Sequence, residues 1–169
     1  FVLSGVYQLP FFQGTGGMSE AVLGGWRING ILTMQSGSPF TINLGTDRAN
    51  IGSGPSQRPN QVQDPKLPRS QRTANQWFDT TAFTLPDAYT FGNAPRNSVV
   101  GPGYANLDLA IAKTWRLPNE SQLEFRWEIF NLFNNDNFML PNRIFGTPNF
   151  GRIFSAGNAR EMQFGIRYA

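Results

Sequence analysis

The chain has 169 residues, of which 40% are hydrophobic, 14% aromatic and only 15% charged, and its formal net charge is +3. Its 18 Gly and 12 Pro exclude a mainly helical protein, and its charged fraction is below the roughly one quarter that is typical of soluble domains. The sequence contains no Cys and no His, which excludes disulfides, Cys/His zinc sites and imidazole-dependent triads. We therefore expect neither an enzyme nor a resident cofactor.

The basic residues are scattered singly along the sequence and form no patch, so the positive net charge does not predict nucleic-acid binding. No window approaches the roughly 18 to 20 consecutive apolar residues of a membrane-spanning helix. The first residues also lack the basic region and cleavage site of a signal peptide. Because the sequence opens inside a predicted strand, we expect that it is the later part of a longer protein.

Five segments alternate apolar and polar residues with the period of two that is typical of β-strands. The predicted strands lie near 1–9, 22–36, 104–117, 122–133 and 161–169. The fourth has the clearest pattern: Leu123, Phe125, Trp127 and Ile129 alternate with Gln122, Glu124, Arg126 and Glu128. The sequence therefore predicts an all-β fold of antiparallel strands.

The connections between these strands differ in length in a regular order. A medium turn over 10–20 and a short turn over 118–121 alternate with long loops near 37–103 and 134–160. Short turns at one rim and long loops at the other are typical of transmembrane β-barrels. With a periplasmic C-terminus, the long loops would be extracellular.

Aromatic residues on the apolar faces also favour a membrane barrel, because such barrels carry aromatic girdles. These residues are Tyr7, Trp26, Trp115, Trp127 and Tyr168. Since about eight strands are needed to close a barrel and an open edge is not tolerated in lipid, we expect further strands upstream, in an odd number if the barrel total is even. A secreted β-sandwich that binds a ligand or carbohydrate is the alternative, because alternation alone also fits a sandwich.

An ordered series of short motifs spans nearly the whole chain. They are Gly25-Trp26-Arg27-Ile28-Asn29-Gly30, Gln35-Ser36-Gly37-Ser38-Pro39-Phe40, Arg58-Pro59-Asn60, Trp77-Phe78-Asp79, Phe91-Gly92-Asn93, Gly101-Pro102-Gly103-Tyr104-Ala105-Asn106-Leu107-Asp108, Phe130-Asn131-Leu132-Phe133-Asn134, Asn149-Phe150-Gly151-Arg152-Ile153 and Gln163-Phe164-Gly165-Ile166-Arg167-Tyr168. In this series the chain resembles the C-terminal barrel of TonB-dependent receptors, especially the Oar-like group with a carboxypeptidase-regulatory-like domain.

The resemblance implies the last five strands of a barrel of about 22 strands in a Gram-negative outer membrane. It also implies outer-membrane lipid, TonB acting through an N-terminal plug, and an extracellular small-molecule or polymer substrate as partners. The substrate itself stays open, as does a porin-like barrel without TonB coupling. The chain departs from the pattern at its end: Ala169 follows Tyr168, where such barrels end on an aromatic residue, so we expect one further aromatic residue or a trimmed end.

Polar residues on the alternating strands are the candidates for a barrel lumen. They are Arg27, Asn29, Gln35, Asp108, Arg116, Glu124, Arg126 and Glu128. Paired carboxylates could serve acid/base catalysis, but lumen-facing charges that pair across strands explain this pattern better. Asp and Asn residues within 131–137 miss the spacing of a calcium loop, so we expect no metal site.

Aromatic residues in the long loops are the candidates for extracellular ligand contact, because binding residues concentrate in loops. They are Trp77, Phe78, Phe83, Phe91 and Phe138, with Phe145 and Phe150 as further members. The alternative is that these rings pack loop against loop.

Overall fold

The computed structural model describes residues 1–54 and 56–169; Pro55, inside the predicted loop 37–103, lies outside the described residues. The strands are β1 (Val2–Gln8), β2 (Trp26–Gln35), β3 (Pro39–Phe40), β4 (Asn43–Leu44), β5 (Asn60–Gln61), β6 (Phe83–Thr84), β7 (Val99–Val100), β8 (Tyr104–Arg116), β9 (Gln122–Phe130), β10 (Ile144–Phe145) and β11 (Glu161–Tyr168). One α-helix, α1, covers Gly17–Leu23, and short 3-10 turns cover Arg69–Gln71, Thr80–Ala82 and Pro118–Glu120.

The five long strands form one sheet in the order β1-β2-β8-β9-β11, and every neighbouring pair is antiparallel. The prediction of an antiparallel all-β fold is therefore confirmed. The two short connections, β1–β2 and β8–β9, leave the sheet at one end. The two long connections, β2–β8 and β9–β11, leave it at the other, which we call the loop end.

The strand register aligns a row of large apolar residues from all five strands on one face. Tyr7 pairs with Ile28, Ile28 with Ile111, Ile111 with Trp127, and Trp127 with Phe164. Directly paired residues in an antiparallel sheet point to the same side, and the period of two carries this row along each strand. The sheet thus has one continuous apolar face and one mainly polar face, and the apolar face is largely exposed: Tyr7 is 58% and Ile166 76% exposed.

The long connections form a compact unit of their own, the loop unit, made of Ser36–Gly103 and Asn137–Gly157. Three two-residue strand pairs brace it: β3 with β7 and β5 with β6 are antiparallel, and β10 with β4 is parallel. Its buried core consists of Phe40, Ile42, Phe78, Ala82, Phe83, Ala94 and Val99, with Trp77, Phe145 and Phe150 packed against it. The long connections are therefore folded around a core of aromatic rings.

Two predicted boundaries differ from the structure. The strand expected to begin at residue 22 begins at Trp26, because Val22 and Leu23 belong to helix α1, whose C-cap is Gly24. The alternation over 22–25 is too short to distinguish a strand from a helix turn. The strand expected to reach 133 ends at Phe130, because Asn131 has a positive φ of 53° and turns the chain.

None of the helices in the described ranges is long and apolar enough to cross a membrane.

Gly92 provides a test of the loop unit. A Cβ at this position would collide with the carbonyl groups of Arg58 and Pro59, which are backbone atoms and cannot rotate away. We expect Gly92→Ala to destabilise the loop unit by about 1–3 kcal/mol, the usual cost of overpacking. Gly157→Ala is the control, because a Cβ there meets Asn137 at an ordinary 3.4 Å. Hydrogen exchange measures the effect at the Ala94 N–H, which donates to Pro59 O; equal exchange in both variants would contradict the prediction.

Candidate functional site

The polar face of the sheet collects all eight residues that the sequence nominates for a lumen. Arg27 pairs with Ala112, which pairs with Arg126, while Asn29 and Glu128 both pair with Ala110. The other four, Gln35, Asp108, Arg116 and Glu124, lie on the same face, because each is an even number of residues from one of these along β2, β8 or β9. The strands therefore bring together side chains from three separate segments of the sequence.

Arg126 is the centre of the charged part of this face. Its guanidinium donates to Glu124 at 3.0 Å and lies 3.5 Å from Glu128, and all three side chains remain partly exposed. Exposed ion pairs of this kind contribute only about 0–1 kcal/mol each. Gln163 on β11 adds a hydrogen bond to Glu128. The carboxylates are held by neighbouring side chains, an arrangement that suits a hydrated, charged wall.

Asp108 has a local structural role on the same face. Its Oδ1 accepts from Asn106 Nδ2 at 2.8 Å and from the backbone N–H of Asn131 at 2.9 Å. Asn131 in turn donates to the carbonyls of Asn135 and Asn158 and accepts from the Asn135 N–H. The Asn-rich segment after β9 is thus a hydrogen-bonded corner; no cluster of three or more possible metal ligands occurs among the residues described.

Two of the five nominated loop aromatics are placed where a ligand cannot reach them. Phe78 and Phe83 are only 1% and 3% exposed, and their rings pack edge-to-face at 6.1 Å in the core of the loop unit. These two rings pack loop against loop, because the loop unit has only two-residue strands and depends on large rings for its core. Phe91 is 67% exposed and Phe138 is half-buried.

Trp77 lines a cavity of about 180 Å³ on the loop unit, together with Pro65, Lys66, Arg72, Ser98, Val99 and neighbouring residues. Its indole N–H donates to Val100 O at 2.9 Å, and the Arg72 guanidinium lies 5.6 Å from its ring centroid. The buried Ser98 hydroxyl has no hydrogen-bond partner among the residues described. The sequence pattern did not reveal Lys66, Arg72 or Ser98, because they follow no periodicity.

The end of the sheet opposite the loop end, where β1–β2 and β8–β9 connect, is the short-turn end. There, three side chains of the apolar face bind the C-terminal end of helix α1. Trp26 Nε1 donates to Val22 O at 2.9 Å and Trp115 Nε1 donates to Ala21 O at 2.6 Å. Lys113, only 4% exposed, donates to the carbonyls of Glu20 and Gly24. Its ammonium also lies 5.7 Å and 5.3 Å from the centroids of the Trp26 and Trp115 rings.

This arrangement, the Lys113 cluster, satisfies backbone carbonyls that a helix end leaves without intrahelical partners. A cation is also favourable there, since the C-terminal end of a helix carries partial negative charge. Sequence reasoning missed the cluster, although a single lysine in the apolar row Leu107, Leu109, Ile111, Lys113, Trp115 was a signal that something polar covers this position.

Glu20 fixes the other end of the same helix. Its carboxylate accepts from the backbone N–H groups of Gly14 at 3.1 Å and Gly16 at 2.8 Å. These bonds, the one from Gly14 foremost, hold the pKa of Glu20 below its ordinary value, and the charge of Lys113 acts in the same direction. The β1–β2 connection therefore contains a folded turn and helix with both ends bonded.

The chain belongs to the outer membrane beta barrel domain family, whose profile matches residues 1–163. It is thus an outer-membrane protein, and outer-membrane lipid is its environment. No significant match was found among curated proteins, and none among solved structures. The secreted β-sandwich is set aside, because the family is an outer-membrane one and the apolar face of the sheet is exposed.

The bonds of Glu20 make a prediction about pH. Because the pKa of Glu20 is lower in the folded state than in the unfolded state, its stabilising contribution is complete above the ordinary Glu range and is lost as pH falls through the lowered value. We expect the protection of the Gly14 and Gly16 amides against hydrogen exchange to decrease in that acidic window. In Glu20→Gln the protection should not depend on pH there. If the unsubstituted protein and Glu20→Gln show the same pH dependence of amide protection, a group other than Glu20 causes it, and the prediction is wrong.

Proposed function

We propose that the chain forms part of the wall and the extracellular loops of a TonB-dependent receptor that imports a substrate across the outer membrane of a Gram-negative cell. The five long strands would be the last of a barrel of about 22 strands, a size at which the lumen is occupied by a plug. The observation that carries the proposal is that both long connections leave the same end of the sheet and fold into one compact unit.

The polar face is the proposed lumen wall. Its charges are exposed or half-buried and pair with neighbours on the same face, as Arg126 does with Glu124 and Glu128. The interior of a transmembrane barrel is polar and hydrated, and its outside is apolar with aromatic girdles. We propose no catalytic role for these carboxylates, since both are paired with the Arg126 guanidinium, at 3.0 Å and 3.5 Å.

The loop unit is the proposed ligand-contact region, and its best-formed feature is the Trp77 cavity. Trp77 lines the cavity with its N–H already bonded to Val100 O, and the Arg72 guanidinium lies over its ring. Two cationic side chains, Lys66 and Arg72, and one carboxylate, Asp64, line the cavity. This excess of positive charge favours a planar substrate group that carries a negative charge. Phe91 and Phe138 are further contact candidates because they are not part of the buried core.

Two experiments on the protein purified from the outer membrane distinguish a TonB-dependent receptor from a porin-like barrel. A plugged receptor should give no steady ion current in a planar lipid bilayer, and an immobilised periplasmic domain of TonB should capture it. A 16-stranded porin serves as the control for current and for absence of capture. If the protein gives a steady open-channel current and the TonB domain does not capture it, the receptor proposal is wrong and a porin-like function takes its place.

The Trp77 cavity can be tested with benzoate and its uncharged counterpart benzamide. We expect benzoate to shift the Trp77 Nε1 resonance in the NMR spectrum of the same purified protein, and benzamide to bind more weakly. Arg72→Gln and Lys66→Gln should each weaken benzoate binding by a factor of about two to five, the range for an exposed charge pair. Arg69→Gln is the matched control, because Arg69 is exposed and does not line the cavity. Equal responses to both compounds would remove this cavity from the ligand-contact region.

A further inference from the structure

The β1–β2 connection exposes an unusual number of large apolar side chains for a turn. The exposed residues are Phe11, Phe12, Met18, Val22 and Leu23, and Met18 is 79% exposed. The other connection at the same end of the sheet, β8–β9, consists of Leu117, Pro118, Asn119, Glu120 and Ser121, and Leu117, 37% exposed, is its one large apolar side chain. The apolar patch is therefore a property of the β1–β2 connection and not of this end of the sheet in general.

This patch is fixed to the apolar face of the sheet. The side chains of Trp26, Lys113 and Trp115 all lie on that face, since Trp26 pairs directly with Lys113 and Trp115 follows two residues later. All three donate to carbonyls within 20–24, at the end of helix α1. The helix therefore cannot swing away from the sheet without breaking several hydrogen bonds at once.

The apolar face of an outer-membrane barrel contacts lipid, so the exposed side chains of helix α1 continue an interface that the family already defines. The ring of Trp26 lies edge-on to Trp115 at 6.5 Å and to Phe125 at 6.1 Å, forming an aromatic group at the border of that face. Indole rings favour the boundary between acyl chains and headgroups, because they are apolar with one polar edge.

The segment that carries the patch has almost no charge, which favours binding to a lipid surface by burial of apolar side chains and not by attraction to charged headgroups. Within 10–25 the only charged residue is Glu20, and its carboxylate is bonded to the Gly14 and Gly16 amides. Lys113 is directed to carbonyl groups and to two rings. No cationic cluster is present in this segment to select anionic headgroups.

We propose that the β1–β2 connection is a membrane-interface anchor: helix α1 lies at the acyl–headgroup boundary of the leaflet at the short-turn end of the sheet, with Met18, Val22 and Leu23 inserted into phospholipid. The Lys113 cluster positions the helix for this contact. The anchor rests on the outer-membrane location of the family and on its lipid-facing apolar surface. It is independent of TonB coupling, so the current and capture experiment can fail without affecting it.

The test uses single nitroxide labels on the protein reconstituted in phosphatidylcholine vesicles. The label is placed at Met18→Cys, at Ile166→Cys on the exposed apolar face as the lipid reference, and at Asn119→Cys in the polar turn as the water reference. Electron paramagnetic resonance compares access to oxygen, which concentrates in lipid, with access to a water-soluble nickel chelate. We expect the oxygen-to-nickel ratio at position 18 to exceed that at position 119 at least severalfold and to approach that at position 166.

Two results would overturn the anchor. A ratio at position 18 equal to that at position 119 would place the helix in water. Low access to both reagents would show that a protein surface covers it. A second variant tests the positioning role of Lys113: in Lys113→Met, which keeps the apolar volume but loses the bonds to the carbonyls, nickel access at position 18 should rise severalfold while position 166 stays unchanged. No change at position 18 would remove Lys113 from the proposal.

Discussion

The antiparallel register of the five long strands is the constraint on which the rest of the structure depends. Because side chains alternate from one face to the other, a shift by one residue in any pair would exchange the apolar and polar faces. The observed register aligns Tyr7, Ile28, Ile111, Trp127 and Phe164 in one row across the whole sheet. A continuous apolar face and a mainly polar opposite face are both consequences of that alignment.

Aromatic residues have two different roles in the structure. In the loop unit, rings such as Phe78 and Phe150, 5.1 Å apart, form the core of a unit whose strands contribute only two residues each. At the short-turn end, Trp26 and Trp115 use their N–H groups to satisfy the carbonyls at the end of helix α1. Aromatic residues therefore serve as core in one place and as polar caps with an apolar body in the other.

The candidate site was predictable to different extents along the chain. The eight polar-face residues follow from alternation alone, because the period of a strand fixes which side a residue faces once its neighbours are known. The nominated loop aromatics do not follow from any such rule: Phe78 and Phe83 are interior, while Phe91 is exposed. Whether a loop ring is core or surface depends on contacts between segments as distant as Phe40 and Phe150.

The sequence by itself determined the strand-forming segments, the two faces and the alternation of short and long connections, because each depends on local periodicity and turn residues. Only the tertiary structure decided that residues 17–23 form a helix, that Lys113 is buried against carbonyls of that helix, and that the long connections share one core. The contact between Glu20 and Lys113, for example, joins positions 93 residues apart. No local pattern contains information about partners at that distance.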